Sequence, residues 1–82
     1  MDDELQFFQA WWKILRKYWY PPERHDHSKE ATEFWNGFVH ECRALPEKYK
    51  SSKLFYPFAC KMCLELVNEV TRRSVELHKE VR

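Results

Sequence analysis

Apolar side chains recur at helical spacing from the start of the chain until two consecutive prolines interrupt the pattern. At about 100° per residue, they fall into two adjacent stripes: Leu5, Phe8, Trp12, Leu15 and Trp19; and Phe7, Trp11, Ile14 and Tyr18. Acidic residues lead the segment and basic residues follow, as a helix dipole favours, and Pro21-Pro22 cannot continue a helix. The pattern predicts a helix over 2–20 whose apolar face covers about half its circumference, wider than the ~100° stripe of a surface helix.

Two further segments show the same periodicity. In residues 28–45 the apolar positions are Ala31, Phe34, Trp35, Phe38, Val39, Cys42 and Leu45. In residues 57–80 the stripe is Ala59, Cys63, Leu66, Val70, Ser74 and Leu77. We therefore predict a second helix over 28–45 and a third over 57–80.

Capping and proline residues set the expected ends of these helices. Asp26 or Ser28 can cap the second helix, and Pro46 is expected to end it. Ser51-Ser52 is a break that can supply another cap, and Pro57 fits best in the first turn of the third helix.

Glycine is nearly absent, since Gly37 is the only one in 82 residues, against a usual share of ~7%. This disfavours glycine-rich phosphate loops and β-rich folds with many tight turns. Three amphipathic helices with short links predict an all-α fold, a small antiparallel three-helix bundle, forming a single helical domain over residues 1–82. Gly37 itself is expected on the polar side of the second helix.

Charge and cysteine content restrict the location and partners that we expect. The formal net charge is +1, which argues against general nucleic-acid binding, and no apolar run is long enough to span a membrane. The three cysteines cannot all pair, and the first residues lack the basic start and apolar core of a secretory signal. We expect a cytoplasmic protein with reduced thiols and no cofactor.

Two spacings resemble chemical sites. Cys60-x-x-Cys63 has the spacing of a zinc half-site, which His25 and His27 could complete, but free cysteines are also commonly small buried side chains. Arg73 and His78 are spaced as in the motif of HEPN-type helical ribonucleases, although both also suit a helix C-terminus. We find no catalytic triad, Walker loop or HExxH motif and predict a protein that is not an enzyme and holds no metal.

A modest basic stretch offers an alternative function. It consists of Lys48, Lys50, Lys53 and Lys61. Such a stretch is commonly a solvated face, but it can also contact phosphates. The alternative prediction is therefore a helical protein that contacts nucleic acid through these lysines, or a HEPN-like or metal-dependent nuclease.

The aromatic content favours a protein-binding function. The chain has 14 Trp, Tyr and Phe residues, more than a small bundle core easily buries, and aromatic residues are enriched at protein interfaces. The residues that we predict to bind a partner protein lie on the first helix and in the turn after it: Trp11, Arg16, Lys17, Tyr18, Trp19 and Tyr20. A second copy of the chain is a further candidate for the same patch.

Three short runs carry a resemblance. They are residues 7–13, FFQAWWK, residues 17–22, KYWYPP, and residues 33–35, EFW. In these the chain resembles small aromatic-rich helical accessory proteins of bacterial phages and mobile elements, among which anti-CRISPR inhibitors are one class. The resemblance implies a protein that binds a larger host nuclease or defence complex and inhibits it sterically.

Overall fold

The computed structural model describes the backbone of residues 2–79 and the side chains of residues 4–79. It contains α1 (Asp2–Lys17), α2 (Lys29–Glu47) and α3 (Phe55–His78), with no strand in the described part of the chain. Every pair of helices is in contact. The beginning of α1 lies beside that of α3, because the Phe7 and Phe55 ring centroids are 5.2 Å apart. The predicted all-α three-helix bundle is confirmed, with α2 antiparallel to both other helices.

The end of α1, the end of α2 and the start of α3 differ from the predicted positions by two or three residues. α1 ends at Lys17 rather than at residue 20, because a proline disfavours helical backbone in the residue before it. α2 continues past the predicted end at Leu45, and Pro46 is accommodated in its last turn. Proline already has a helical φ, so at this position it removes only one backbone hydrogen bond.

α3 begins at Phe55, two residues before the predicted start. The residue at the N-cap position is Leu54, which makes no side-chain capping bond, but the Ser52 hydroxyl accepts a hydrogen bond from the Phe55 N–H at 3.1 Å. Pro57 then lies in the first turn, where backbone N–H groups have no partner within the helix. The predicted end at residue 80 falls outside the described residues.

The start of α2 is capped by Ser28, one of the two predicted residues. Its hydroxyl accepts a hydrogen bond from the Ala31 N–H at 3.2 Å. The Asp26 carboxylate accepts one from the Ser28 N–H at 2.8 Å, and this bond lowers the pKa of Asp26 below its ordinary value. Asp26 thus supports the cap, whereas Ser28 forms it.

The core consists of one stripe from each helix. Its buried members are Phe7, Ile14, Leu15, Tyr18, Ala31, Phe38, Cys42, Leu45, Ala59, Cys63, Leu66 and Val70. Ser74, predicted in the α3 stripe, is buried as well, whereas Leu77 at the end of that stripe is 49% exposed. Of the two stripes predicted on α1, the one containing Phe7 and Tyr18 faces the core, and Leu15 of the other stripe is buried with it.

The segment between α1 and α2 is held by the end of α3. The Ser74 hydroxyl donates a hydrogen bond to the Pro22 carbonyl at 2.6 Å, and His78 Nε2 lies 3.1 Å from the Pro21 carbonyl. Pro21 is itself fully buried. These two contacts join residues that are 52 and 57 positions apart in the sequence.

Gly37 is not on the polar side of α2, where the sequence placed it. It is half-buried and faces α1, with the Tyr18 hydroxyl above it. A Cβ at this position would lie 3.0 Å from the hydroxyl oxygen, so α1 and α2 approach more closely here than a larger residue would allow. The prediction was wrong because Gly37 lies at the edge of the apolar face, where periodicity does not decide orientation.

Candidate partner-binding surface

Part of the apolar face of α1 is not covered by the other helices. Leu5, Phe8 and Trp12 expose 60%, 41% and 53% of their surfaces, and Phe58 of α3 exposes 40%. The Phe8 and Phe58 ring centroids lie 6.0 Å apart with their rings edge to face, so the surface continues from α1 onto α3. We call these four residues the apolar strip.

Further exposed or aromatic residues adjoin the apolar strip at both ends. Near the start of α1, Phe8 and Phe58 line an open cleft together with Glu4 and Leu54, and Leu54 is 92% exposed. Toward the end of α1, the Trp12 ring lies 6.2 Å from that of Trp19. The result is a continuous apolar surface along one side of the bundle.

Two of the predicted partner-binding residues hold the bundle together. Tyr18 is only 6% exposed, and its ring packs edge to face against those of Phe34 and Phe38 at 4.9 Å and 5.2 Å. Trp11 is half-buried, and its indole N–H donates a hydrogen bond to the Met62 carbonyl of α3 at 2.9 Å. In the monomer these side chains are therefore core residues rather than an accessible contact surface.

Lys17, also predicted to bind a partner, forms an ion pair within the chain. Its ammonium group lies 2.7 Å from the Glu41 carboxylate, which also accepts a hydrogen bond from the Tyr18 hydroxyl. Burial raises the pKa of Glu41, but the hydrogen bonds from Lys17 and Tyr18 outweigh it and keep that pKa below its ordinary value. Burial, and next the bond to Glu41, raise the pKa of Tyr18. This group joins α1 to α2.

The remaining predicted residues, Arg16, Trp19 and Tyr20, lie in the last turn of α1 and just after it. The guanidinium groups of Arg16 and Arg73 lie 4.5 Å and 3.7 Å from the Trp19 ring centroid, so Trp19 is half-buried between cations. Arg73 also forms an ion pair with Glu69 at 2.9 Å. Tyr20 is 77% exposed. Arg16, Trp19 and Tyr20 thus extend the apolar strip with a basic and aromatic rim.

The residues of the possible chemical sites have other neighbours in the bundle. Arg73 contacts Trp19, whereas His78 contacts the Pro21 carbonyl, so each side chain has its own partner in the segment between α1 and α2. Cys42 and Cys63 are buried and Cys60 is half-buried. Burial, with a neighbouring thiol as the smaller cause, raises the pKa of Cys42 to about 12 and that of Cys63 to about 11.

Neither a metal cluster nor a membrane-spanning helix is present between residues 2 and 79. No three His, Cys, Asp or Glu side chains in this part are arranged to hold a metal ion. None of its helices combines the length and the apolar character that crossing a bilayer requires.

The basic stretch is exposed along its whole length. Lys50 makes an ion pair with Glu47 at 3.8 Å. Lys48 borders a shallow groove between α1 and α2 that is also lined by Lys13 and Lys17. These lysines are therefore accessible to an anion, and a nucleic-acid contact through them stays a prediction.

Sequence reasoning missed the four residues that form the apolar strip. Leu5, Phe8 and Trp12 belong to the α1 stripe that was recognised, but periodicity does not show which of two adjacent stripes faces the core. Phe58 precedes the regular stripe of α3. Comparison with known proteins finds no matching family model, no matching curated protein and no matching solved structure.

Proposed function

We propose that the chain is a non-enzymatic protein-binding module whose contact surface is the apolar strip. The observation that carries this proposal is the exposure of Leu5, Phe8, Trp12 and Phe58, four large apolar side chains in one continuous surface. Contiguous exposed apolar surface typically marks an interaction site, and aromatic side chains supply much of the binding energy at such sites.

The arrangement suits steric or competitive binding. The apolar strip lies on two helices of a packed bundle and is presented without rearrangement, so little ordering entropy opposes association. Arg16, Trp19 and Tyr20 form a rim at one end and can add polar contacts around the apolar centre. Inhibition of a larger host complex by a phage or mobile-element protein, with anti-CRISPR proteins as one class, is the form of this proposal that the sequence resemblance supports.

Capture experiments with paired variants test the proposed surface. Phe8→Asp and Trp12→Asp place a charge in the apolar strip, whereas Leu64→Asp places the same charge at a 65% exposed residue elsewhere on α3. We expect the strip variants to keep wild-type helical content and thermal stability but to lose partners captured by immobilised protein, and Leu64→Asp to retain them. Unchanged capture by both strip variants would reject the surface.

A nucleic-acid contact through the basic stretch predicts a different result. Binding would fall steeply with added salt and would be lost on replacing Lys48 and Lys53 by Glu, while Trp12→Asp would leave it unchanged. Salt-insensitive binding that depends on Trp12 supports the protein-binding proposal instead.

A further inference from the structure

The charges of α1 are separated along its length. Acidic residues occupy positions 2–4, and the basic residues are Lys13, Arg16 and Lys17. Of the basic residues, Arg16 flanks the apolar strip, whereas Lys13 and Lys17 line the groove toward α2. The apolar strip lies between these two ends on the same helix. A helix can pack over the strip antiparallel to α1. Opposite charges then meet at both ends only if that helix, like α1, begins with acidic residues and ends with basic residues.

A second copy of α1 meets this requirement. Leu5, Phe8 and Trp12 are spaced by three and then four residues, the spacing of a seam between two packed helices. A two-fold axis at the level of Ala10 places Phe8 opposite the partner's Trp12 and Trp12 opposite the partner's Phe8. The same axis brings Glu4 to the level of the partner's Arg16. The helix dipoles then also run in opposite directions, which is favourable.

We propose that the apolar strip is occupied by a second copy of this chain, with the two α1 helices antiparallel about a two-fold axis near Ala10. The inference rests on the proposed function, in that it takes the apolar strip as the contact surface, and it names the partner. A parallel pair would bring the acidic ends together and the basic ends together. Charge therefore favours the antiparallel arrangement over the parallel one.

The neighbouring helix fits the same arrangement. Phe58 of α3 lies beside Phe8 and enlarges the apolar area at each end of the seam. Arg16 is exposed, and its contact with Trp19 leaves it on the flank of the strip. A self-complementary surface of this kind closes as a dimer and does not extend into a filament.

Sedimentation equilibrium of the full chain over a concentration series tests the pairing. We expect the wild type to reach the dimer mass and Trp12→Glu to weaken dimerisation by about tenfold or more. Glu4→Lys and Arg16→Glu should each weaken it, and the double variant should recover, because the swap restores opposite charges across the axis. Glu33→Lys, with the same charge change on an exposed part of α2, should have no effect.

Cross-linking distinguishes the two orientations. At 1.5 Å per residue, the two copies of residue 9 lie about 3 Å apart along the helix axis in the antiparallel pair, and the two copies of residue 5 about 15 Å apart. Oxidation should therefore cross-link Gln9→Cys but not Leu5→Cys, with the wild type showing how much the native thiols contribute. Efficient cross-linking of Leu5→Cys would reject the antiparallel arrangement.

The outcomes separate this inference from the proposed function. A monomer at every concentration, together with partner capture that still depends on Phe8 and Trp12, would reject the second copy and leave the protein-binding surface intact. A dimer that Trp12→Glu does not weaken would also reject the inference, because its contact would lie elsewhere.

Discussion

The Tyr18 hydroxyl lies above Gly37, so close that a Cβ on the glycine would lie only 3.0 Å from the hydroxyl oxygen. The same hydroxyl donates a hydrogen bond to Glu41, one turn further along α2. Tyr18 therefore joins α1 to α2 through two contacts. Its hydroxyl lies against the backbone of Gly37, and it bonds to the Glu41 carboxylate, which also forms the ion pair with Lys17.

This contact predicts a non-additive effect of replacing Gly37. Alanine gains up to ~1 kcal/mol over glycine in a helix interior, but the new methyl would press on the Tyr18 hydroxyl. In Gly37→Ala we expect this gain to be cancelled. In the Tyr18→Phe background the nearest remaining atom, Cζ, is 3.9 Å away, and Gly37→Ala should stabilise by about 1 kcal/mol. Urea denaturation of all four proteins measures the coupling, and equal effects in both backgrounds would contradict it.

Trp11 and Trp12 provide a matched pair of substitutions. Trp11 is half-buried and bonded to the Met62 carbonyl, so Trp11→Ala should cost about 3 kcal/mol or more of unfolding free energy. Trp12 is 53% exposed, and Trp12→Ala should change the stability of the monomer, measured at concentrations too low for self-association, by no more than about 1 kcal/mol. Chemical denaturation checks both, and a larger loss at Trp12 would mean that its ring supports the fold.

Acid should weaken the contact between α1 and α2. Because the pKa of Glu41 is lowered in the folded state, its contribution is present above the ordinary value of 4.5 and is lost as pH falls through the folded pKa. Glu41→Gln should therefore be less stable than wild type at pH 7, and the difference should shrink below about pH 4. Thermal melts from pH 7 to pH 3 measure this, with Glu33→Gln as a control expected to follow wild type.

The buried thiols should be unreactive and should destabilise the fold at high pH. Burial raises the pKa of Cys42 to about 12 and that of Cys63 to about 11. The free energy of unfolding therefore keeps the full contribution of the neutral thiols below the ordinary pKa of 9.0 and falls as pH rises above it. At pH 8 we expect alkylation of Cys60 to precede that of Cys42 and Cys63, which should react only after denaturant is added. Mass spectrometry of the labelled peptides identifies the order, and early labelling of Cys42 would contradict its burial.

The sequence predicted the helices well because their apolar periodicity is strong and their breaks are chemically marked. Ser28 caps α2 as expected, and the Ser52 hydroxyl accepts a hydrogen bond from the first N–H of α3 although it is not at the N-cap position. The buried stripe of α3 was also predicted, including polar Ser74. Each of these features depends on local spacing and local hydrogen bonding, which a sequence records directly.

The candidate surface was harder to predict because it depends on which residues the other helices cover. Phe7 and Phe8 are equally apolar neighbours in sequence, yet Phe7 is fully buried and Phe8 is 41% exposed. Tyr18 was predicted to bind a partner because tyrosine suits interfaces, but Gly37 opposite it makes room for its ring in the core. Such pairings join residues far apart in the chain, and no local pattern contains them.

The hydrogen bonds from Ser74 and His78 to the prolines after α1 have a consequence for the order of assembly. α3 is synthesised after α1 and α2, and its final turns hold the connection between them. While translation is under way, α1 and α2 can meet, but the bend between them stays unfastened until the end of α3 has left the ribosome. A chain truncated after residue 73 lacks Ser74 and His78, so its segment between α1 and α2 would never gain these two contacts.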